Sequence, residues 1–94
     1  MGTHQHIEDI ENRRKMLIFR SWHRGTREMD LLLGSFADAH VPALDAAGLD
    51  DFERLLTNPD PDLYEWKSGR AAPPAEEDTD VLRAFINHQY NTEK

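Results

Sequence analysis

Residues Thr26–His40 read TREMDLLLGSFADAH, and this stretch decides the fold. Met29, Leu32, Leu33, Phe36 and Ala37 fall at i, i+3, i+4, i+7 and i+8, the spacing that lines one face of an α-helix with apolar side chains. Thr26 stands where an N-cap belongs, because its hydroxyl can accept from a backbone N–H of the first turn. Glu28 adds a carboxylate where the helix dipole favours negative charge. Val41-Pro42 closes the stretch, since the residue before a proline is pushed away from helical angles.

Working outward, the same periodicity recurs and strand alternation does not. Toward the N-terminus, Ile7, Ile10, Leu17 and Ile18 predict a helix over about 7–22, with Phe19 and Trp22 flanking its apolar face and Gly25 in the turn that follows. Toward the C-terminus, Asp50 and Glu53 have the spacing of an N-cap and its third-position acid, ahead of Phe52, Leu55 and Leu56. Asn58-Pro59 stops that helix, and Asp60-Pro61 restarts the chain as N-cap and first helical residue. Leu63 and Trp66 then share a face up to Gly69. A proline- and alanine-containing connector, 70–77, leads to a last helix over about 79–90, whose stripe is Val81, Leu82, Phe85, Ile86, Gln89 and Tyr90. The expected architecture is all-α: a single compact bundle of about five short helices spanning residues 1–94, with residues 1–6 disordered.

With 94 residues, the chain has room for one core, burying about 65% of the surface its unfolded form exposes. It has no cysteine, which removes disulfides and thiolate metal sites and fits a reducing compartment. No apolar run approaches the roughly 20 residues that span a bilayer, and no signal-peptide h-region follows Met1. A cytoplasmic protein that does not enter membranes is expected. The net charge of −7 is unevenly distributed. Residues 13–27 hold six Arg and Lys and no acid, whereas residues 28–94 hold fifteen acids against five bases. An acidic total argues against nucleic-acid binding, which needs a broad basic face, while a local basic stretch suits an acidic patch on a protein partner.

The residues offer little for catalysis or metal binding. His4 and His6 have no second ligand pair at metal spacing, and the acids Glu76, Glu77 and Asp78 read as a solvated connector. There is no glycine-rich phosphate loop, no HExxH and no GxSxG. Five small helices also leave little volume for a substrate pocket of roughly 300 Å³ or more.

The segment Arg24-Gly25-Thr26-Arg27-Glu28 packs two guanidinium groups, a glycine and a carboxylate into one interhelical turn. Read by periodicity alone it is a plain turn with a cap. Arg24-Gly25-x-x-Glu28 followed by Met29-Asp30, however, resembles the RGxxE signature of the SdhE-type succinate dehydrogenase assembly factors. Asp60-Pro61-Asp62-Leu63-Tyr64-Glu65-Trp66 is similar to that family's second landmark, and the likeness covers about residues 10–90. Two departures stand out: His23 occupies a position that is usually basic, and Met29 one that is often leucine, a swap that conserves volume.

The resemblance implies a factor without catalysis of its own. Such factors bind the flavoprotein subunit of succinate dehydrogenase, and in some bacteria that of fumarate reductase. They promote covalent attachment of FAD to a histidine, in a reaction the client itself catalyses. It further implies that the FAD belongs to the client, and that no cofactor or metal is held tightly by this chain. The expected client-binding residues are Arg24, Gly25 and Glu28, with Arg27, Asp30, Arg20 and His23 around them. The free chain is expected to be a monomer, with Trp22 as the exposed aromatic that would support a dimer. Two rival readings are an antitoxin-like regulatory partner and a nucleic-acid module using the basic first helix.

Overall fold

The computed structural model describes the backbone of residues 3–89 and the side chains of residues 9–89. Five α-helices follow one another, and no strand occurs among the described residues: α1 (Thr3–Ser21), α2 (Arg27–His40), α3 (Ala46–Leu56), α4 (Asp60–Ser68) and α5 (Asp80–Asn87). Short 3₁₀ turns occupy Val41–Ala43 and Ala75–Glu77.

α2 is the spine. Thr26 is extended at φ −127°, and its Oγ1 accepts from the Met29 N–H at 3.3 Å, as an N-cap should. Leu33, Phe36, Ala37 and Val41 are fully buried. α1 lies along α2 and α3, and α5 closes the bundle against α3 and α4. At the centre, Phe36 meets Phe52 at 5.9 Å and the edge of Phe85 at 5.5 Å. Leu17, Leu49, Leu63 and Leu82 fill the remaining space, and Trp66 is buried beside them. Each such side chain contributes roughly 1.5–3 kcal/mol by leaving water.

Several boundaries differ from the sequence expectation. α3 begins a turn earlier, with Asp45 as its N-cap accepting from Gly48 N–H at 2.9 Å. Asp50 is inside the helix, exposed and paired with Arg13 at 2.6 Å. The earlier start buries Leu49 completely, which a start at Asp50 would have left outside the helix. α4 is capped by extended Pro59 at ψ 152°, so Asp60 is the first helical residue and Pro61 the second. α5 ends at Asn87, with His88 extended at ψ 133°; Lys67 Nζ donates to the carbonyls of Ile86 and His88 at 3.1 and 2.6 Å and so occupies the acceptors that would continue the helix. Tyr90 lies outside the described residues. At the other end α1 already begins at Thr3, so the backbone of residues 3–6 is helical where disorder was expected; Met1 and Gly2 lie outside the described residues. The side chains of His4 and His6 lie outside them too.

The acidic connector is less solvated than its composition suggests. Glu77 accepts from Arg54 at 3.1 Å and from Asn58 at 3.3 Å, which hold its carboxyl below the usual carboxylate range. Trp22 is not an exposed aromatic either. Its indole lies flat on Gly34 of α2, where a Cβ would come within 2.2 Å of the ring, and its Nε1 donates to Asp38 at 3.3 Å. Among the described residues the exposed large apolar side chains are Met16, Phe19 and Tyr64.

Candidate functional site: the turn between α1 and α2

α1 stops at Ser21, whose buried hydroxyl bonds back to the Leu17 carbonyl at 2.8 Å. The chain then turns through residues 22–26, and Gly25 takes φ +118°, a backbone angle that L side chains rarely adopt. No atom lies within 4 Å of where a Gly25 Cβ would stand, so the glycine is required by the backbone angle and its outer side is open.

The candidate residues divide into two groups. Arg24 and Asp30 turn inward. The Arg24 guanidinium donates from Nη1 to the Leu56 carbonyl at 2.7 Å, from Nη2 to the Asn58 carbonyl at 2.8 Å, and from Nε to Asp60 Oδ1 at 2.9 Å. Only 14% of the Arg24 side chain is exposed, and its guanidinium is held by bonds within the chain at the α3–α4 corner. The reason is electrostatic: the last carbonyls of α3 lack helical partners and carry the negative end of its dipole. Asp30 is likewise occupied, its Oδ1 accepting the Arg24 N–H at 2.6 Å and the Gly25 N–H at 3.4 Å.

Gly25, Arg27 and Glu28 face outward. Among the described residues, neither Arg27 nor Glu28 makes a hydrogen bond or an ion pair, and both are exposed. His23 is exposed as well; its Nδ1 donates to the Phe19 carbonyl at 2.7 Å, and its ring stacks on Phe19 at 3.9 Å. Arg20 stays half-exposed, 3.6 Å from Glu53.

Three open hollows meet at the turn. The largest, about 580 Å³, runs from Trp22 past Gly25 to Arg27 and Leu31. A second, about 470 Å³, lies between Phe19, Arg20, His23, Arg24 and Asp60. A third, about 320 Å³, is walled by Glu28, Met29, Pro61 and Tyr64. They match a substrate pocket in volume but not in enclosure. Among the described residues no three His, Asp or Glu side chains gather as metal ligands. Such a surface suits docking by a larger body, not reaction within a cavity.

The basic half of α1 is also largely spent inside the molecule. Arg13 bonds Asp50 and Glu53 at 2.6 and 2.9 Å, and Arg14 bonds Glu11 and the Leu44 carbonyl at 3.0 and 2.8 Å. Two cations of the basic stretch, Arg13 and Arg14, are thus paired with α3 and with their own helix.

Residues 15–89 match the family profile Sdh5, described as "Flavinator of succinate dehydrogenase". The chain belongs to the Sdh5 family. It is 42% identical over 85 residues to "Succinate dehydrogenase assembly factor 2, mitochondrial" of Dictyostelium discoideum, covering 90% of this chain and 60% of that protein. It is 40% identical over 79 residues to "FAD assembly factor SdhE" of Acetobacter pasteurianus, covering 84% of this chain and 72% of that one. A third relative, "Succinate dehydrogenase assembly factor 2-A, mitochondrial" of Drosophila mojavensis, is 34% identical over 89 residues. The chain spans 60% and 57% of the length of the Dictyostelium and Drosophila proteins. No solved structure matches significantly.

Placed on this Sdh5-family chain, the RGxxE signature is a mixed object: its arginine builds the turn, while its glycine and glutamate are presented. Sequence reasoning missed two residues that shape the site. Asp60 was read as a helix cap, and nothing in its spacing points 36 residues back to Arg24. Gly34 went unremarked inside a helical stripe; a glycine in mid-helix, costly by about 1 kcal/mol, was the available signal that something packs closely there.

Proposed function

We propose that this chain docks on the flavoprotein subunit of succinate dehydrogenase, or of fumarate reductase, and promotes covalent attachment of FAD to it without catalysing the step itself. The observation that carries this reading is the outward corner formed by Gly25, Arg27 and Glu28: charged, exposed and unpaired among the described residues, next to a glycine whose outer side is open. Family membership supplies the class of client, and the corner supplies a place for it to bind.

The physical requirement is alignment. A flavin methyl carbon must meet a histidine nitrogen while charge develops on the ring, and holding reacting groups in register lowers the barrier by removing orientational freedom. A helper achieves this if it binds the aligned client more tightly than the open one. A tenfold preference, about 1.4 kcal/mol, moves the client's equilibrium tenfold. Glu28 is placed to pair with a client cation and Arg27 with a client carboxylate, while Gly25 lets backbone approach backbone. In this reading the FAD is the client's.

The test is co-expression with the apo-flavoprotein, scoring covalent flavin fluorescence of the denatured subunit. Glu28→Ala, which removes no hydrogen bond or ion pair among the described residues, is expected to lower flavinylation about tenfold while costing only about 0.3–1 kcal/mol from its interaction with the α2 dipole. Full flavinylation by the folded variant would remove this corner from the function.

A further inference from the structure

The two stretches that carry the family likeness are far apart in sequence and joined in space. The joint is Arg24 with Asp60: Nη2 to Oδ1 is 2.7 Å and Nε to the same oxygen 2.9 Å, with 14% and 27% of the two side chains exposed. We propose that Asp60 is a positioning residue of the docking turn, holding Arg24 so that the bend presents Gly25 and Glu28 in the shape the client meets. This inference rests on the docking reading above and concerns how that site is kept in shape.

Three observations support it. First, α4 does not need Asp60 as a cap. Its N-cap is Pro59, with no side-chain cap bond, and the carboxylate of the first helical residue reaches across to another element. Second, the guanidinium is a planar fork, and all three of its nitrogens are engaged at once: Asp60 on one side, the Leu56 and Asn58 carbonyls on the others. A fork engaged on several edges fixes direction as well as distance, which a point charge cannot do. Third, the backbone of the same residue is held from the opposite side, where Asp30 takes the Arg24 and Gly25 N–H groups. Residue 24 is therefore clamped between α2 and the α3–α4 corner. Gly25, which touches nothing outside, inherits its geometry from that clamp. Pro61 and Tyr64, one and four residues beyond Asp60, share a hollow with Glu28, so the second stretch also walls the site it braces.

If the clamp is released, the bend samples other shapes. Holding the competent shape a tenth of the time weakens apparent affinity about tenfold. The experiment measures the affinity of the intact chain for the apo-flavoprotein subunit, comparing wild type, Asp60→Ala, Arg24→Gln, their double variant and Glu28→Ala. Amide NMR of the free chain is recorded in parallel. Both single brace variants are expected to lose about tenfold, the double no more than either alone, and the Gly25 amide and Arg24 Nε–H signals to shift in the free protein. Losses that multiply to about a hundredfold, with the Gly25 amide unmoved, mean that Asp60 meets the client directly and overturn the proposal. Wild-type affinity of Asp60→Ala alongside a loss in Glu28→Ala overturns the positioning role and leaves the docking reading intact. Wild-type affinity in both overturns the two together. Should Asp60→Ala fail to fold, Asp60→Asn, which keeps the shape and weakens the acceptor, and Arg24→Lys, which keeps the charge and lacks the fork, carry the same expectations.

Discussion

Among the described residues the chain makes two sharp bends on a glycine with positive φ, and they are built on different principles. At Gly69, φ +84° ends α4 through the helix's own backbone: the Gly69 N–H reaches the Glu65 and Trp66 carbonyls, and Arg70 and Ala71 N–H return to Glu65 at 3.0 and 3.3 Å. That is the usual left-handed closure, complete within seven residues. At Gly25, φ +118°, the N–H groups of residues 24 and 25 go to the Asp30 side chain, and the Arg24 side chain goes to a corner more than thirty residues away. A bend closed by its own backbone has no need of the rest of the fold. A bend held by distant side chains uses those side chains for shape and leaves its outer residues, here Arg27 and Glu28, without side-chain partners among the described residues.

The largest effect expected from this contrast comes from placing the same substitution at both bends. Gly25→Arg and Gly69→Arg both enter open space and both force an L residue into the left-handed region, at about 1–2 kcal/mol each. For a domain of this size each kcal/mol lowers the melting temperature by about 4–8 °C, so the two variants are expected to melt within a few degrees of each other. Flavinylation of a co-expressed client should separate them: a loss of tenfold or more for Gly25→Arg and wild-type yield for Gly69→Arg, at a temperature where both are folded. Equal yields would erase the distinction between the bends.

A smaller effect is expected at Gly34, which supports the Gly25 bend from below. A Cβ there would lie 2.2 Å from the Trp22 ring, against backbone that cannot retreat. Gly34→Ala should displace the indole and break its bond to Asp38, costing about 1–3 kcal/mol as overpacking does. Red-shifted tryptophan emission with a lowered melting temperature would show it. An unshifted spectrum would mean that Trp22 is not seated on α2 and contributes nothing to the geometry of the turn.

These cases mark what was legible in the sequence. The apolar stripe of α2 and its Thr26 cap were readable because helical spacing and capping are local. The start of α3 was misplaced because Asp45 and Asp50 are both credible caps, and what chose between them was the burial of Leu49, a tertiary fact. The site followed the same rule. Gly25 and Glu28 were legible as a motif, and the structure leaves them outward. Arg24 was legible as part of the same motif, whereas its bonds to Leu56, Asn58 and Asp60 depend on how α3 and α4 fold back, which no local pattern encodes.

The smallest effect lies near the second bend and should leave the first untouched. Lys67, two residues before Gly69, lies over the Phe85 ring and donates to the His88 carbonyl. The His88 ring packs against Phe36 and His40, and its Nε2 lies 3.1 Å from Ser35 Oγ, whose hydroxyl donates to the Leu32 carbonyl at 3.3 Å. Burial holds the His88 imidazole below its ordinary range, and the nearby Lys67 and His40 push in the same direction. A base whose pKa is depressed by folding favours the state with fewer protons. Its contribution to stability is therefore fully present above the unfolded value, about 6.5, and is lost as pH falls from there through the folded value. Melting temperature is expected to decline between pH 7 and 5, and His88→Gln, which keeps a hydrogen-bonding group for Ser35 and does not titrate, should flatten that decline. Because His88 shares no contact with Arg24, Asp30 or Asp60, the Glu28→Ala deficit in flavinylation should be the same in the His88→Gln background, to within the additivity expected of distant sites. A His88→Gln change that altered the Glu28 deficit would couple the two ends of the bundle and dissolve the separation drawn between its bends.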